Sequence, residues 1–166
     1  MAPDTARLRL LIAELDDELG KVQRLFDQFG HAEESLRRPN VDHLIVYGVA
    51  ALLESFYTSM EKSLARIANT LGPEPVGPSW HRQLLMSMTL DVPEVRPAVL
   101  NAATALALDS FLSFRHRFRN LYVFDLEHEP MLRLLAQGAS ACSSFETDIR
   151  ALIAHLREWI VALEAS

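Results

Sequence analysis

Apolar positions recur every three or four residues along most of this chain, and nowhere do they alternate for long enough to propose a strand. The first stripe, about residues 4–29, runs through Leu8, Leu11, Ile12, Leu15, Leu19, Val22, Leu25, Phe26 and Phe29, with Asp4 placed to cap it and Gly30 to close it. A polar linker containing Pro39-Asn40 follows. The second stripe, about 41–71, passes through Leu44, Ile45, Val49, Leu52, Leu53, Phe56, Met60, Leu64, Ile67 and Leu71 and stops at Gly72-Pro73. Five prolines make 72–97 irregular, apart from a short helical piece near 79–89. A third long helix is predicted over about 98–124. Pro130 suits the first turn of a further helical piece, Gly138 is expected to interrupt it, and a last helix is predicted over about 141–163. The pattern predicts an all-α fold, an antiparallel bundle of four long helices plus short ones in one domain over 1–166.

Composition adds constraints. With 166 residues, 49% apolar and 23% charged, the chain is suited to a packed core. No apolar run approaches the roughly 18–20 residues of a membrane span. Arg7, Arg9, Glu14, Asp16 and Asp17 interrupt the first apolar stretch, which therefore lacks the pattern of a secretory leader. The single cysteine, Cys142, has no internal disulfide partner and small neighbours, so it reads as a buried small residue. These features suit a reducing cytoplasm. The histidines show no metal-ligand spacing, and there is neither a Gly-rich phosphate loop nor a Gly-x-Ser-x-Gly elbow, so no metal or other cofactor is expected. A net charge of −6 argues against a broad, sequence-blind nucleic-acid surface but leaves room for a local phosphate site.

One segment carries candidate chemistry: Arg115-His116-Arg117-Phe118-Arg119-Asn120, with Tyr122 two positions on. On a continuous helix Arg115, Arg119 and Tyr122 fall within about 60° of one another, with His116 and Asn120 stacked on the adjoining strip. Phe111, Phe114, Phe118 and Leu121 turn toward the core, and Arg117 projects away from Arg115. Arginine holds phosphate bidentately and stays charged, and histidine moves protons near neutrality. Asparagine donates and accepts hydrogen bonds but does not shuttle a proton. Such a strip fits metal-independent RNA cleavage, in which the ribose 2′-hydroxyl attacks its own phosphate. The same residues also fit a solvated helix face paired with Asp125, Glu127 and Glu129.

The string Phe-Arg-His-Arg-Phe-Arg-Asn-Leu-Tyr over 114–122 resembles the catalytic segment of HepT-like HEPN-domain ribonuclease toxins, which reads Arg, four residues, His, one residue, Tyr. Arg115 and Tyr122 fit that frame, and Asn120 stands where the family has His. Phe56-Tyr57-Thr58-Ser59-Met60-Glu61 with Arg66-Ile67-Ala68, Trp80-His81-Arg82-Gln83-Leu84-Leu85, and Arg96-Pro97-Ala98-Val99-Leu100 resemble further family segments, in order, so that the likeness runs from about residue 5 to 160. The resemblance implies a HEPN-like bundle that forms a homodimer, acts on RNA, and pairs with a minimal nucleotidyltransferase antitoxin in a type VII-like system. The candidate catalytic residues are Arg115 and Asn120, which occupy the frame, and the neighbouring His116, with RNA-phosphate contacts from Arg115 and Arg119; the resemblance further implies AMP transfer to Tyr122, or neutralisation by binding alone. The alternative is a catalytically silent helical partner that binds substrate for a nucleotidyltransferase. Asn120 is compatible with a branch in which His116 took over proton transfer, with an inactive member, or with a selected loss of toxicity. Arg115 and Arg119 are expected to be solvent-accessible near a two-fold axis, with Tyr122 opening to the same groove. Trp80-His81 reads as a loop anchor, Tyr57 and Glu61 as an i,i+4 pair bonded within the bundle, and His128 as a surface residue.

Overall fold

The computed structural model describes residues 4–73 and 75–165; the first three residues, to which the leader argument extends, lie outside them, and for Val123 only the backbone is described. The described residues form six α-helices in chain order: α1 (Thr5–Phe26), α2 (Phe29–Leu36), α3 (His43–Leu71), α4 (Trp80–Ser87), α5 (Ala102–Phe118) and α6 (His128–Glu164), with a 3₁₀ turn at Val123–Asp125. Among the described residues the only β pairing is an isolated bridge between Val92 and Arg96. The fold is all-α.

Local chemistry sets the helix starts. The Asp4 carboxylate accepts from the Arg7 N–H at 2.7 Å, as the sequence predicts, and Asp42 and Asn101 cap α3 and α5 in the same way. Asn101 is itself held by Asp148 of α6, at 3.0 and 3.1 Å, which ties the start of α5 to the longest helix. α3 lies against α1, α5 and α6, and Phe56, Tyr57, Met60 and Leu64 on its inner face are fully buried. The rings of Phe29, Phe56 and Phe111 meet at centroid distances of 4.8 and 5.3 Å, joining α2, α3 and α5 in one core.

Several expectations need correction. The first stripe breaks at Asp27–Gln28, and Gly30 lies inside α2 rather than closing α1. Gly138 does not interrupt a helix; it sits within α6, where an added Cβ would overlap the Phe29 ring. Its cost in helix propensity, about 1 kcal/mol, is offset by this close packing. The third helix is shorter than predicted and ends at Phe118. Between α4 and α5 the backbone is fixed by Arg96, whose guanidinium donates to the carbonyls of Ser87, Leu90 and Pro97 at 2.9–3.2 Å. That clamp holds α4 beside α5, where the motif lies.

Candidate functional site

Three helices contribute the polar cluster. Glu54, Tyr57 and Glu61 are spaced three and four apart and share one face of α3; α4 supplies His81 and Arg82; the last turn of α5 supplies Arg115 and His116. Cations at that turn also complement the negative end of the helix dipole.

Arg115 is not solvent-accessible, contrary to expectation: it is 5% exposed. Its Nη1 donates to Glu61 Oε1 at 2.7 Å, its Nε lies 3.7 Å from Glu54 Oε1 without a hydrogen bond, and its guanidinium carbon sits 5.9 Å from the centre of the Tyr57 ring. A guanidinium out of water requires such pairing, and the buried Glu61 provides it. The second oxygen of Glu61 lies 2.7 Å from His81 Nδ1. With one carboxylate oxygen accepting from Arg115 and the other facing His81, the network assigns the imidazole proton to Nδ1, donating to Glu61. The 3.3 Å approach of Arg115 Nη1 to His81 Nδ1 is then a contact between two donors rather than a bond. Trp80 stacks on the His81 ring at 3.8 Å and fixes its plane.

His81 Nε2 makes no hydrogen bond among the described residues, and the ring meets His116 edge-on at 5.5 Å. His116 is exposed. Partial burial, then His81, Arg115 and Arg82, push its pKa below the ordinary 6.5, against the pull of Glu61. Arg82 is oriented by Asp109 at 3.1 Å and Ser113 at 3.3 Å, both on α5. Below this cluster the Tyr57 hydroxyl is buried without a hydrogen-bond partner, and burial followed by the Glu61 charge raises its pKa far above the ordinary phenol value.

The remaining motif residues occupy different surroundings. Asn120 lies just beyond α5, where its amide Nδ2 donates back to the His116 carbonyl at 2.9 Å, capping the helix. Arg119 is the C-cap, 55% exposed, and donates to Glu54 at 3.1 Å. It lines a cleft of about 460 Å³ with Lys21, Arg24, Lys62 and Glu18. Arg117 is exposed. Because the helix has ended, Tyr122 does not continue the Arg115 strip; it is 71% exposed and stacks on Phe124 at 5.4 Å. Leu121, expected in the core, is 45% exposed for the same reason, whereas Phe111, Phe114 and Phe118 are buried. Arg115 and Arg119 pair with Glu54 and Glu61 rather than with Asp125, Glu127 or Glu129. Cys142 is buried, which pushes its thiol up to about 11. Among the described residues, no helix is long and apolar enough to cross a membrane.

Two members of the cluster, Glu54 and His81, do not stand out in the sequence, which presents His81 only as a loop anchor. Glu54 shares the Tyr57–Glu61 face, a helical spacing that is legible; the Glu61–His81 contact joins residues 20 apart across a proline-rich loop and leaves no local signal.

The described residues thus form an all-α fold in which a buried arginine–carboxylate pair underlies two neighbouring histidines. The family described as HepT-like protein matches residues 48–156, well over half of the chain, and the chain belongs to that family. The match spans α3 to most of α6 and contains every polar residue of the cluster; α1 and α2, within the likeness expected from the sequence, lie outside it. No curated protein and no solved structure gives a significant match.

Proposed function

We propose that this HepT-like protein is an RNA-cleaving toxin of the HEPN type, neutralised by a minimal nucleotidyltransferase. The observation that carries this reading is His116: an exposed imidazole, held below its ordinary pKa, at the edge of a cluster containing His81, Arg82 and Arg115. A neutral imidazole at physiological pH accepts the proton of a ribose 2′-hydroxyl, and exposed cations nearby, Arg82 and Arg119, neutralise the phosphate. Arg115 acts from below: pinned by Glu61, it supplies positive charge and fixes the carboxylate. Single-stranded RNA incubated with the protein in EDTA should yield cyclic phosphate and 5′-hydroxyl ends, and His116→Ala should lower the rate at least about a hundredfold. Cleavage unaffected by changes at Arg115, His116 and Asn120 together would remove this cluster from the mechanism.

A second reading, a silent partner that binds substrate for a nucleotidyltransferase, is favoured by one contact. Asn120 spends its amide on the His116 carbonyl, at the position where the family has its proton-moving His. Activity that appears only in Asn120→His would select this reading.

Regulation belongs to Tyr122. Its exposed phenol, beside Phe124, is open to a nucleotidyltransferase carrying ATP and magnesium, and an adenylate there would add bulk and negative charge that disfavour RNA. Intact-mass analysis after incubation with such a partner and ATP should record AMP addition that disappears in Tyr122→Phe; addition that persists places the handle elsewhere. The homodimer expected of the family is supported by exposed Leu44 and Tyr47 at the start of α3 and by exposed Leu121.

A further inference from the structure

RNA cleavage through the 2′-hydroxyl moves two protons. One leaves the attacking oxygen, and one must reach the departing 5′ oxygen, because an alkoxide is a poor leaving group. The family frame offers one histidine for the motif, and this chain lacks it. What α5 no longer supplies, α4 brings into reach. His81 is 16% exposed in its side chain, its ring is fixed by Trp80 on one face, and its Nδ1 is engaged by Glu61. Glu61 is in turn immobilised by Arg115 on a separate helix. A histidine wanted only as a loop anchor would not need a buried carboxylate backed by a buried guanidinium. A carboxylate on Nδ1 instead sets the tautomer and leaves Nε2 as the working atom, the arrangement by which proton-transferring histidines are oriented. The neighbouring His116 ring stands edge-on at 5.5 Å, so the two imidazoles lie side by side at one place on the protein. The charged and titratable groups around them come from every packed element: Glu61 and Tyr57 from α3, Arg82 from α4, Arg115 and Asp109 from α5.

We propose that His81, oriented by Glu61, is the second catalytic histidine of this site, donating from Nε2 the proton that the leaving 5′ oxygen takes up. This rests on the ribonuclease reading above. In the balanced step, His81 keeps its Nδ1 proton on Glu61 and carries a second proton, taken from water, on Nε2; His116 accepts the 2′-hydroxyl proton, the 2′ oxygen bonds to phosphorus, the bond from phosphorus to the 5′ oxygen breaks, and His81 gives its Nε2 proton to that oxygen. The products are a 2′,3′-cyclic phosphate and a free 5′-hydroxyl; the two histidines return to their starting states by exchange with water. Glu61 is a positioning residue, and Asn120 takes no proton at all.

The test separates the two proton transfers. RNA needs its leaving group protonated, whereas uridine 3′-(4-nitrophenyl phosphate) releases a stable phenolate that does not. His81→Asn and His81→Gln are prepared, with helical circular dichroism as the folding check, so that either carries the test if the other loses its fold. The expected result is a loss of about a hundredfold on RNA, with the nitrophenyl substrate turned over near the wild-type rate, while His116→Ala slows both. His81 variants that keep wild-type activity on RNA, or lose both substrates in equal measure, overturn the proposal while leaving the ribonuclease reading in place. A wild-type protein that cleaves neither substrate overturns that reading and the proposal with it.

Discussion

Among the described residues two carboxylate side chains, Glu18 and Glu61, are buried, and their surroundings lead to different conclusions. Glu18 of α1 is 2% exposed and is met by Lys21 at 2.9 Å, Ser59 at 2.8 Å and Arg66 at 3.7 Å. Glu61 of α3 is 5% exposed and is met by Arg115 and His81, both at 2.7 Å. Each sits where α3 packs on a neighbouring helix. The partners of Glu18 are an ammonium, a guanidinium and a hydroxyl, and two of them extend to solvent, with Lys21 42% and Arg66 37% exposed. They close the charge off. Glu61 hands its charge to an imidazole that reaches the surface beside a second imidazole. Burial of a carboxylate therefore does not mark a site; what its partner can exchange with solvent does.

The largest expected effect follows from removing the deeper cation. Arg115→Ala leaves Glu61 buried with only His81 to meet it and should destabilise the fold by about 3–5 kcal/mol, measured by urea unfolding. Glu18→Ala, by contrast, leaves cations that water can rehydrate and one unpaired hydroxyl, and should cost about 1–3 kcal/mol. Equal losses would erase the distinction between the two sites. A smaller effect sharpens it: Ser59→Ala removes one bond to Glu18 and should cost about 0.5–1.5 kcal/mol with no change in RNA cleavage.

The smallest effect concerns pH. His116 titrates below its ordinary 6.5 in the folded protein, so the unfolded chain binds its proton more readily. The stability linked to it is present above that value and is lost as pH falls through the folded pKa. Proton NMR of the His116 ring should place its midpoint below 6.5, and a midpoint above that value would contradict the partial burial and the cationic neighbours described.

Much of this was legible in the sequence. The stripe of α3 and its stop at Gly72 follow from a 3.6-residue period ended by Gly-Pro, and the Asp4 cap from residue type and position. Gly138 misled because a helix interior disfavours glycine, and only the three-dimensional approach of Phe29 explains it. Tyr122 was placed on the Arg115 strip by assuming an unbroken helix, although Asn120 is a residue type that closes helices and could have been read so. The site was half legible. Arg115, His116 and Arg119 stand out as a cluster in one segment, but the burial of Arg115 depends on Glu61 from a different helix, and His81 joins only through that same carboxylate.

The central claim is that the Glu61 cluster serves chemistry while the Glu18 cluster serves packing. Its most direct test compares Glu61→Gln with Glu18→Gln for RNA cleavage in EDTA, each rate taken beside the variant's own unfolding free energy. The account predicts a fall of about ten- to a hundredfold for Glu61→Gln, the usual weight of a partner that orients a working histidine, and a rate near wild type for Glu18→Gln wherever the protein is folded. Equal rates for the two variants, or losses that simply follow their stabilities, would contradict it.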